Sequence, residues 1–216
     1  MNKKLVRSLL LGLGLTGSVM IAWRFVSRLK PLPCPAWMSW LLENPFTRGV
    51  MDAPLLVQRA GIKPGMRVLD AGCGAGRVTV EAAEKVGETG EVVALDIQPA
   101  MLEKARARSK QAGLDNVRFM LSALGEGMLP ENRFDRALLV TVLGEIPDRK
   151  AGLEEIAASL KPGGLLSITE MIPDPHYQPI RAVRQLAHSV GLIETRVFGN
   201  KMVYTVNFRK PVQRKL

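Results

Sequence analysis

The sequence contains few of the residues that cross-link small folds or bind transition metals. Of its 216 residues only two are cysteine, Cys34 and Cys73, and only two are histidine. The cysteines lie 39 positions apart, and the chain has no CxxC pair and no Cys/His cluster. These absences argue against a disulfide framework and a structural zinc site, and no metal site is predicted. A reducing, cytosolic compartment is the default expectation.

The body of the chain also lacks an excess of charge, although the net charge is +10. Residues 1–30 carry six basic and no acidic side chains, and residues 209–216 carry four more basic ones. Between them, residues 31–208 hold 20 basic and 20 acidic side chains. A nucleic-acid-binding surface needs its basic groups on the folded body, so no nucleic-acid partner is predicted. Basic ends favour attraction to an anionic membrane surface instead.

One apolar run stands at the N-terminus, where "SLLLGLGLTGSVMIAW" extends from Ser8 to Trp23 without a charge. Its 16 residues fall just short of the roughly 17–25 of a spanning helix. We predict that residues 1–30 form a membrane-anchor helix, either spanning or half-buried. A cleaved signal peptide and a helix buried against the domain remain alternatives. Small residues four apart would let two such helices pack as a homodimer.

The segment "PLPCP" at 31–35 marks a boundary, because closely spaced prolines make a stiff, extended linker. The predicted organisation has four parts: an anchor over 1–30, a linker with lid or interfacial helices over 31–60, a main domain over 61–209, and a basic tail over 210–216. Trp37 and Trp40 begin an apolar stretch that would cover the mouth of the domain, dip into lipid or pack on the core.

The main domain alternates apolar strands with helices. We expect strands at 67–71, 91–96, 116–121, 134–143, 165–171, 192–198 and 202–208, and helices at 77–87, 99–112, 149–160 and 178–190. Such alternation predicts an α/β fold, doubly wound around a mostly parallel, seven-stranded Rossmann-like sheet. The last two strands, separated by "GNK", form a C-terminal hairpin that adds one antiparallel strand.

The run "DAGCGAG" at 70–76 ends the first strand and opens the first helix. Gly72 and Gly74 would let the chain turn sharply beside a ligand, and Gly76 would let the helix pack closely. Asp96 ends the second strand, where a carboxylate accepts hydrogen bonds from ribose hydroxyls. Two adenosine-containing cofactors fit this pattern: a dinucleotide, as in an NAD-dependent oxidoreductase, and S-adenosylmethionine.

Asp70, directly ahead of the glycines, favours the second cofactor. Its charge would repel a pyrophosphate and would suit the cationic amino-acid end of S-adenosylmethionine. "VLDAGCGAG" resembles motif I of the class I S-adenosylmethionine-dependent methyltransferases. "VVALDIQPAMLEKAR", "NRFDRALLV" and "IAASLKPGGLLSITE" are similar to the family's second-, fourth- and fifth-strand segments. The resemblance covers about residues 60–172. A non-catalytic nucleotide-binding module of the same fold remains an alternative.

The resemblance implies a set of cofactor-binding residues. Asp70 and Gly72 would hold the methionine portion, Asp96 the ribose, and Ile97 would pack on the adenine. The predicted set is Asp70, Ala71, Gly72, Gly74, Gly76, Asp96, Ile97, Ser122, Ala123 and Thr141. For three members a structural role is the alternative: Asp96 could cap a strand end, Ile97 could belong to the core, and Ser122 could serve a turn.

Methyl transfer depends chiefly on alignment, and a general base helps when the acceptor carries a proton. Candidates follow the fourth and fifth strands: Glu145, Glu170, His176 and Tyr177. Their alternative roles are a helix cap for Glu145, an arginine ion pair for Glu170, and loop packing for the other two. His188, inside a predicted helix, is assigned a structural role.

The body most resembles ubiquinone/menaquinone-biosynthesis and phospholipid N-methyltransferases, which act on amphiphiles of the bilayer. We therefore expect a small, lipid-like acceptor, a phospholipid amine or a quinone. The resemblance and the anchor together imply a membrane-associated enzyme whose catalytic domain faces the cytoplasm. Arsenite methylation, also found among similar sequences, would need more thiolates than Cys34 and Cys73 provide.

Overall fold

A computed structural model describes residues 51–172 and 174–212. The predicted anchor, the proline-rich linker and residues 213–216 of the basic tail lie outside this part of the chain. Among the residues that are described, no helix is both long enough and apolar enough to cross a bilayer.

Within these ranges, strands and helices alternate as expected. The strands are β1 (Arg67–Ala71), β2 (Glu91–Asp96), β3 (Val117–Leu121), β4 (Phe134–Val140), β5 (Leu160–Met171), β6 (Ile193–Gly199) and β7 (Val203–Arg209). The α-helices are α1 (Ala53–Arg59), α2 (Arg77–Val86), α3 (Pro99–Gln111), α4 (Arg149–Ser159) and α5 (Ile180–Ser189), and a 3₁₀ turn spans Leu143–Glu145.

The strands form one sheet in the order β3-β2-β1-β4-β5-β7-β6. Strands β1 to β5 pair in parallel, whereas β7 is antiparallel to both β5 and β6. This confirms the predicted doubly wound sheet with one antiparallel strand. The strand order reverses at β1, because β2 and β3 follow on one side of it and β4 on the other. The carboxyl ends of β1 and β4 therefore flank a crevice of the kind where such sheets bind ligands.

Two predicted boundaries are wrong. The fourth strand ends at Val140 rather than 143, because Thr141 adopts a left-handed conformation with φ 55° and the 3₁₀ turn follows. The fifth strand begins at Leu160 rather than 165, so "KPGG" does not separate helix from strand. Leu160 pairs with Phe134, and the register then shifts before Arg136 pairs with Leu165. An irregularity of this kind accommodates the extra residues.

Alternate residues of the central strands face opposite sides of the sheet and are buried on both. Leu69 of β1 and Leu139 of β4 face the core under α4 and α5. Val68 and Leu138, their sequence neighbours, face the second core under α1 and α2. Strands buried on both sides read as continuous apolar runs, which is why β1, β2 and β4 were recognisable in the sequence.

Helix α1 falls in the segment predicted to hold a linker and lid. Leu56 and Val57 are buried against α2. At its end, the Arg59 guanidinium donates to the Thr205 hydroxyl at 3.1 Å, and the Asn207 amide donates to the Arg59 carbonyl at 2.7 Å. Helix α1 is therefore part of the packed body. The proposed division of the chain at residue 61 stays a prediction.

Candidate cofactor site

The three glycines between β1 and α2 all adopt left-handed conformations, with φ of 75° at Gly72, 52° at Gly74 and 81° at Gly76. A Cβ on Gly72 would overlap the side chain of Val142, and one on Gly76 would lie 2.8 Å from the Ala105 Cα. Close packing within the protein thus explains these two, including the helix contact expected at Gly76. A Cβ on Gly74 would meet nothing within 4 Å. Gly74 therefore presents bare backbone to open space.

Asp96 connects the end of β2 to this turn. One carboxylate oxygen accepts the Gly74 N–H at 2.9 Å, and the other accepts the Gln98 N–H at 2.8 Å. The side chain is buried, and burial raises its pKa while the backbone N–H groups oppose that rise. An ionised carboxylate offers about four lone-pair sites, so acceptor capacity remains for ribose hydroxyls.

Asp70 lies under the same turn and is 2% exposed. The Thr79 hydroxyl of α2 donates to it at 2.6 Å. Burial raises the pKa of Asp70 to about 6, the Thr79 bond opposes the rise, and the nearby charge of Asp96 adds to it. The crevice thus gathers two buried carboxylates. A cationic ligand group would relieve their repulsion, whereas a pyrophosphate would increase it.

The other residues predicted along this crevice differ in how far their side chains are exposed to solvent. The side chain of Ala71 is fully buried in the core, so only its backbone could face a ligand. Ile97 is 54% exposed, which rules out ordinary core packing. Ser122 occupies a turn: its N–H donates to the Asp96 carbonyl at 3.3 Å and its hydroxyl to the Ala123 carbonyl at 3.2 Å.

The turn after β4 closes the crevice from the other side. Thr141 holds its left-handed conformation while its N–H donates to the Thr169 carbonyl at 2.8 Å. A β-branched residue in this region is strained by about 1–3 kcal/mol, a feature that clusters at functional sites. Val142, next in the chain, fills the space above Gly72. Nothing in the sequence indicated Val142, because its position depends on the neighbouring strand.

Glu170 lies one residue before the end of β5, and the other predicted base candidates follow the ends of β4 and β5. Glu170 of β5 is 1% exposed. One carboxyl oxygen accepts the Gln178 N–H at 3.0 Å, and the other, Oε1, is buried without a hydrogen-bond partner. Burial raises the pKa of Glu170 to about 8; the Gln178 bond opposes this, and Asp174 and Glu145 add to it. The hydrogen-bond partner of Glu170 is therefore the Gln178 backbone, and not the arginine side chain that the alternative role of an ion pair required.

The remaining candidates make mainly local contacts. The buried His176 donates its N–H to Asp174 at 2.6 Å, and Tyr177 donates its hydroxyl to the Lys201 carbonyl at 2.8 Å. Glu145 ends the 3₁₀ turn and does not cap α4. That cap is Asp148, which accepts the Ala151 N–H at 3.0 Å. His188 has the structural role assigned to it, with Nδ1 3.1 Å from the Leu192 carbonyl.

Tyr204 of β7 belongs to the same region and was not predicted. It pairs with Glu170 across the two strands and is 1% exposed. Its hydroxyl donates to the Gln178 carbonyl at 2.6 Å, and its ring meets Tyr177 edge-on with 6.2 Å between centroids. Burial raises the pKa of this phenol, so it stays a neutral donor. The β5–β7 pairing brings these residues together, and no local motif announces it.

A separate groove of about 520 Å³ lies at the opposite edge of the sheet, lined by residues that include Glu84, Glu91, Asn116 and Arg118. Glu91 and Asn116 stand at the amino ends of β2 and β3. The groove therefore has no contact with the crevice of Gly74 and Asp96.

A glycine turn at the switch point of a doubly wound sheet, with an acid ending the next strand, defines a nucleotide-binding α/β domain. The sequence profile of the methyltransferase domain family matches residues 62–203. The chain belongs to this family. Of the two cofactors that the glycines left open, membership selects S-adenosylmethionine, so the protein is an S-adenosylmethionine-dependent methyltransferase. Bare backbone at Gly74 and the acidic crevice both fit that cationic cofactor.

Similar proteins of known name are also methyltransferases. Ubiquinone/menaquinone biosynthesis C-methyltransferases of Shewanella sp. (strain W3-18-1) and Shewanella baltica (strain OS155) are 34% identical over 131 residues, 60% of this chain and 52% of theirs. The chain thus spans about half the length of these curated relatives.

Solved structures agree on the architecture. An S-adenosylmethionine-dependent methyltransferase from Aquifex aeolicus is 25% identical with a TM-score of 0.74, covering 82% of this chain and 98% of that one. The [4+2]-cyclase SpnF is 18% identical with a TM-score of 0.65, covering 74% of this chain and 80% of its own. The second likeness is one of fold alone, and a fold shared by proteins with such different names does not determine the reaction.

Proposed function

We propose that this methyltransferase modifies a small, lipid-like acceptor at a membrane surface, either a phospholipid amine or a quinone-type ring in its reduced, phenolic form. The observation that carries the proposal is Glu170, a buried carboxyl near the carboxyl end of β5 with one oxygen that has no hydrogen-bond partner. The similarity to quinone-biosynthesis C-methyltransferases and the apolar run at 8–23 support the acceptor class.

On the cofactor side, the Gly74 backbone would pass against the ligand and Asp96 would accept the ribose hydroxyls. Asp70 would lie at the cationic amino-acid end of the cofactor. Its pKa of about 6 leaves the carboxyl largely ionised at neutral pH, as an ion pair there requires. Ile97, half exposed beside the crevice, would cover the adenine. When bound there, S-adenosylmethionine supplies an electrophilic methyl group on its sulfonium.

On the acceptor side, Glu170 would receive the proton that the acceptor gives up. Its free oxygen provides the accepting atom, and a pKa of about 8 suits proton transfer near neutral pH. The neutral phenol of Tyr204 and the Gln178 backbone hold the carboxyl's surroundings in place. Glu145, His176 and Tyr177 line the same region, and we assign them to positioning the acceptor.

Residues 1–30 would hold the enzyme at the membrane, with the catalytic domain on the cytoplasmic side and with helix pairing as a route to a homodimer. A tethered enzyme gains effective concentration toward an acceptor confined to the bilayer. Deletion of residues 1–30 should release the protein from the membrane fraction and leave cofactor affinity unchanged.

The direct test incubates full-length protein with membrane lipid extract and S-adenosylmethionine labelled on its methyl group. We expect label in one lipid-soluble species, and at least a 100-fold slower transfer by Glu170→Gln, because general-base catalysis contributes about 10²–10⁴-fold. Glu154→Gln, on the exposed face of α4, is the matched control and should label normally. Equal labelling by both variants, or no labelled lipid with the wild type, would contradict the proposal.

A further inference from the structure

Two exposed apolar side chains stand beside the candidate acceptor region. Ile172, just after β5, is 36% exposed, and Met202, just before β7, is 60% exposed. The Ile172 N–H donates to the Met202 carbonyl at 2.8 Å, so the two residues are neighbours. Glu170 and Tyr204 come two residues before Ile172 and two after Met202 along their strands.

The hairpin that carries Met202 is held in a defined shape. The Asn200 side chain accepts the N–H groups of Met202 at 2.8 Å and Val203 at 3.2 Å. The Tyr177 hydroxyl binds the Lys201 carbonyl and so joins the hairpin to the loop after β5. The apolar side chains are thus presented outward by ordered backbone.

Exposed cationic side chains lie at the same edge of the domain as this pair. Lys201 is exposed next to Met202, and Arg149 and Arg181 are exposed in the first turns of α4 and α5. Both helices start at the edge of the sheet where the parallel strands end, because each follows such a strand. Apolar side chains among cations are the combination that an anionic bilayer surface attracts.

The described chain also begins at this edge. The Arg77 guanidinium, at the start of α2 beside the glycine turn, donates to the Met51 carbonyl. Residues 1–50, with their apolar run and six cations before residue 31, therefore join the body at the carboxyl-end edge of the sheet.

We propose that Ile172, Lys201, Met202, Arg149 and Arg181, here called the 172/202 rim, dock on an anionic lipid bilayer and place the Glu170 region against it. This inference rests on the membrane association proposed above and adds which face of the domain meets the lipid. An acceptor confined to the bilayer would then reach Glu170 without leaving the interface.

The test uses full-length protein carrying Cys34→Ser. Met202→Cys and Ile193→Cys variants are labelled with a polarity-sensitive fluorophore; Ile193, at the start of β6, is a matched control because it is 56% exposed. Cys73 is buried, and labelling of the Cys34→Ser protein alone corrects for it. The vesicles contain equal parts of phosphatidylglycerol and phosphatidylcholine.

We expect the probe at 202 to shift its emission to shorter wavelength and to lose iodide quenching, while the probe at 193 keeps both. Adding Lys201→Gln should weaken rim docking about 5-fold, since one cation near an anionic surface contributes about 1 kcal/mol. Flotation of the same samples separates the two proposals. Protein that floats with probes 202 and 193 equally exposed to iodide would overturn the rim alone.

Protein that fails to float would overturn membrane association and the rim together. A shift at 202 that grows with protein concentration in vesicle-free buffer would assign this face to a second copy of the chain, and would overturn lipid docking.

Discussion

Asp70 and Asp96 on one side of the crevice and Glu170 on the other are all buried, and burial raises the pKa of each. Asp70 and Asp96 accept hydrogen bonds from Thr79, Gly74 and Gln98. These donors lie in or within a few residues of the glycine run at 70–76 and the end of β2, the two motifs that were recognised in the sequence. The surroundings of Glu170 come from Gln178 and from Tyr204 on β7, and one of its oxygens has no hydrogen-bond partner.

The cofactor side is built from two short sequence motifs at the ends of adjacent strands, whereas the acceptor side also needs the pairing of β5 with β7. The cofactor side keeps its acids satisfied before any ligand arrives, which suits a cofactor common to the whole family. The acceptor side leaves a polar atom unsatisfied, and an unpartnered buried acceptor costs about 1–3 kcal/mol. We infer that this cost is retained because the acceptor or its proton meets that oxygen.

The largest expected loss of stability follows substitution of Gly76, in the glycine turn of the cofactor side. Gly76→Val should destabilise the protein by about 3 kcal/mol or more, because the new Cβ would press on the Ala105 backbone at a left-handed φ. Gly113→Val is the control, since φ there is 68° and a Cβ would meet nothing within 4 Å. Urea unfolding measures both, and equal losses would contradict the packing role assigned to Gly76.

Next in size is Asp96→Ala. Two charge-assisted hydrogen bonds to ribose would be lost, so affinity for S-adenosylhomocysteine should fall about 100-fold in calorimetry. Asp148→Ala removes an acid from the cap of α4 and should cost about 1 kcal/mol of stability without changing affinity. Wild-type affinity in Asp96→Ala would show that the ribose lies elsewhere.

Glu170, on the acceptor side, should make the stability of the protein depend on pH. Folded Glu170 holds its proton up to a pKa of about 8, whereas the unfolded value is 4.5. Between these values the folded state binds the extra proton, so stability falls as pH rises, by at most about 1.4 kcal/mol per pH unit. Asp70, with a pKa of about 6, contributes a similar slope only at lower pH.

Urea unfolding between pH 6 and 8 should therefore show a slope in wild type and in Glu154→Gln, and a much flatter line in Glu170→Gln. A wild-type slope retained by Glu170→Gln would mean that another group titrates in this window. The rate of methyl transfer should rise with pH over the same window, because the base must lose its proton.

The smallest effect is expected at Ile97. Ile97→Ala should leave stability unchanged, as the side chain is 54% exposed, but reduce affinity for S-adenosylhomocysteine about 5-fold through lost contact with the adenine. Ile193→Ala, equally exposed at the far end of the sheet, should change neither quantity. If both variants bind like wild type, the adenine does not lie on Ile97.

Features set by short sequence motifs could be predicted from the sequence, whereas features set by contacts across the sheet could not. The bounds of β1 and β2 and the turn at Gly72–Gly76 followed from local apolar runs and spacing. The start of β5 did not, because a register shift against β4 lets "KPGG" continue the strand. Val142 over Gly72 and Tyr204 beside Glu170 depend on contacts across the sheet. Their positions follow from pairing, which no short motif encodes.

Calorimetric titration of S-adenosylhomocysteine into Gly74→Val and Gly113→Val most directly tests where the cofactor binds. Both glycines are left-handed, with φ of 52° and 68°, and a Cβ on either would meet no protein atom within 4 Å. Gly113→Val should bind the ligand like wild type, whereas Gly74→Val should stay folded and bind none measurably. Undiminished binding by Gly74→Val would contradict a cofactor lying against that backbone.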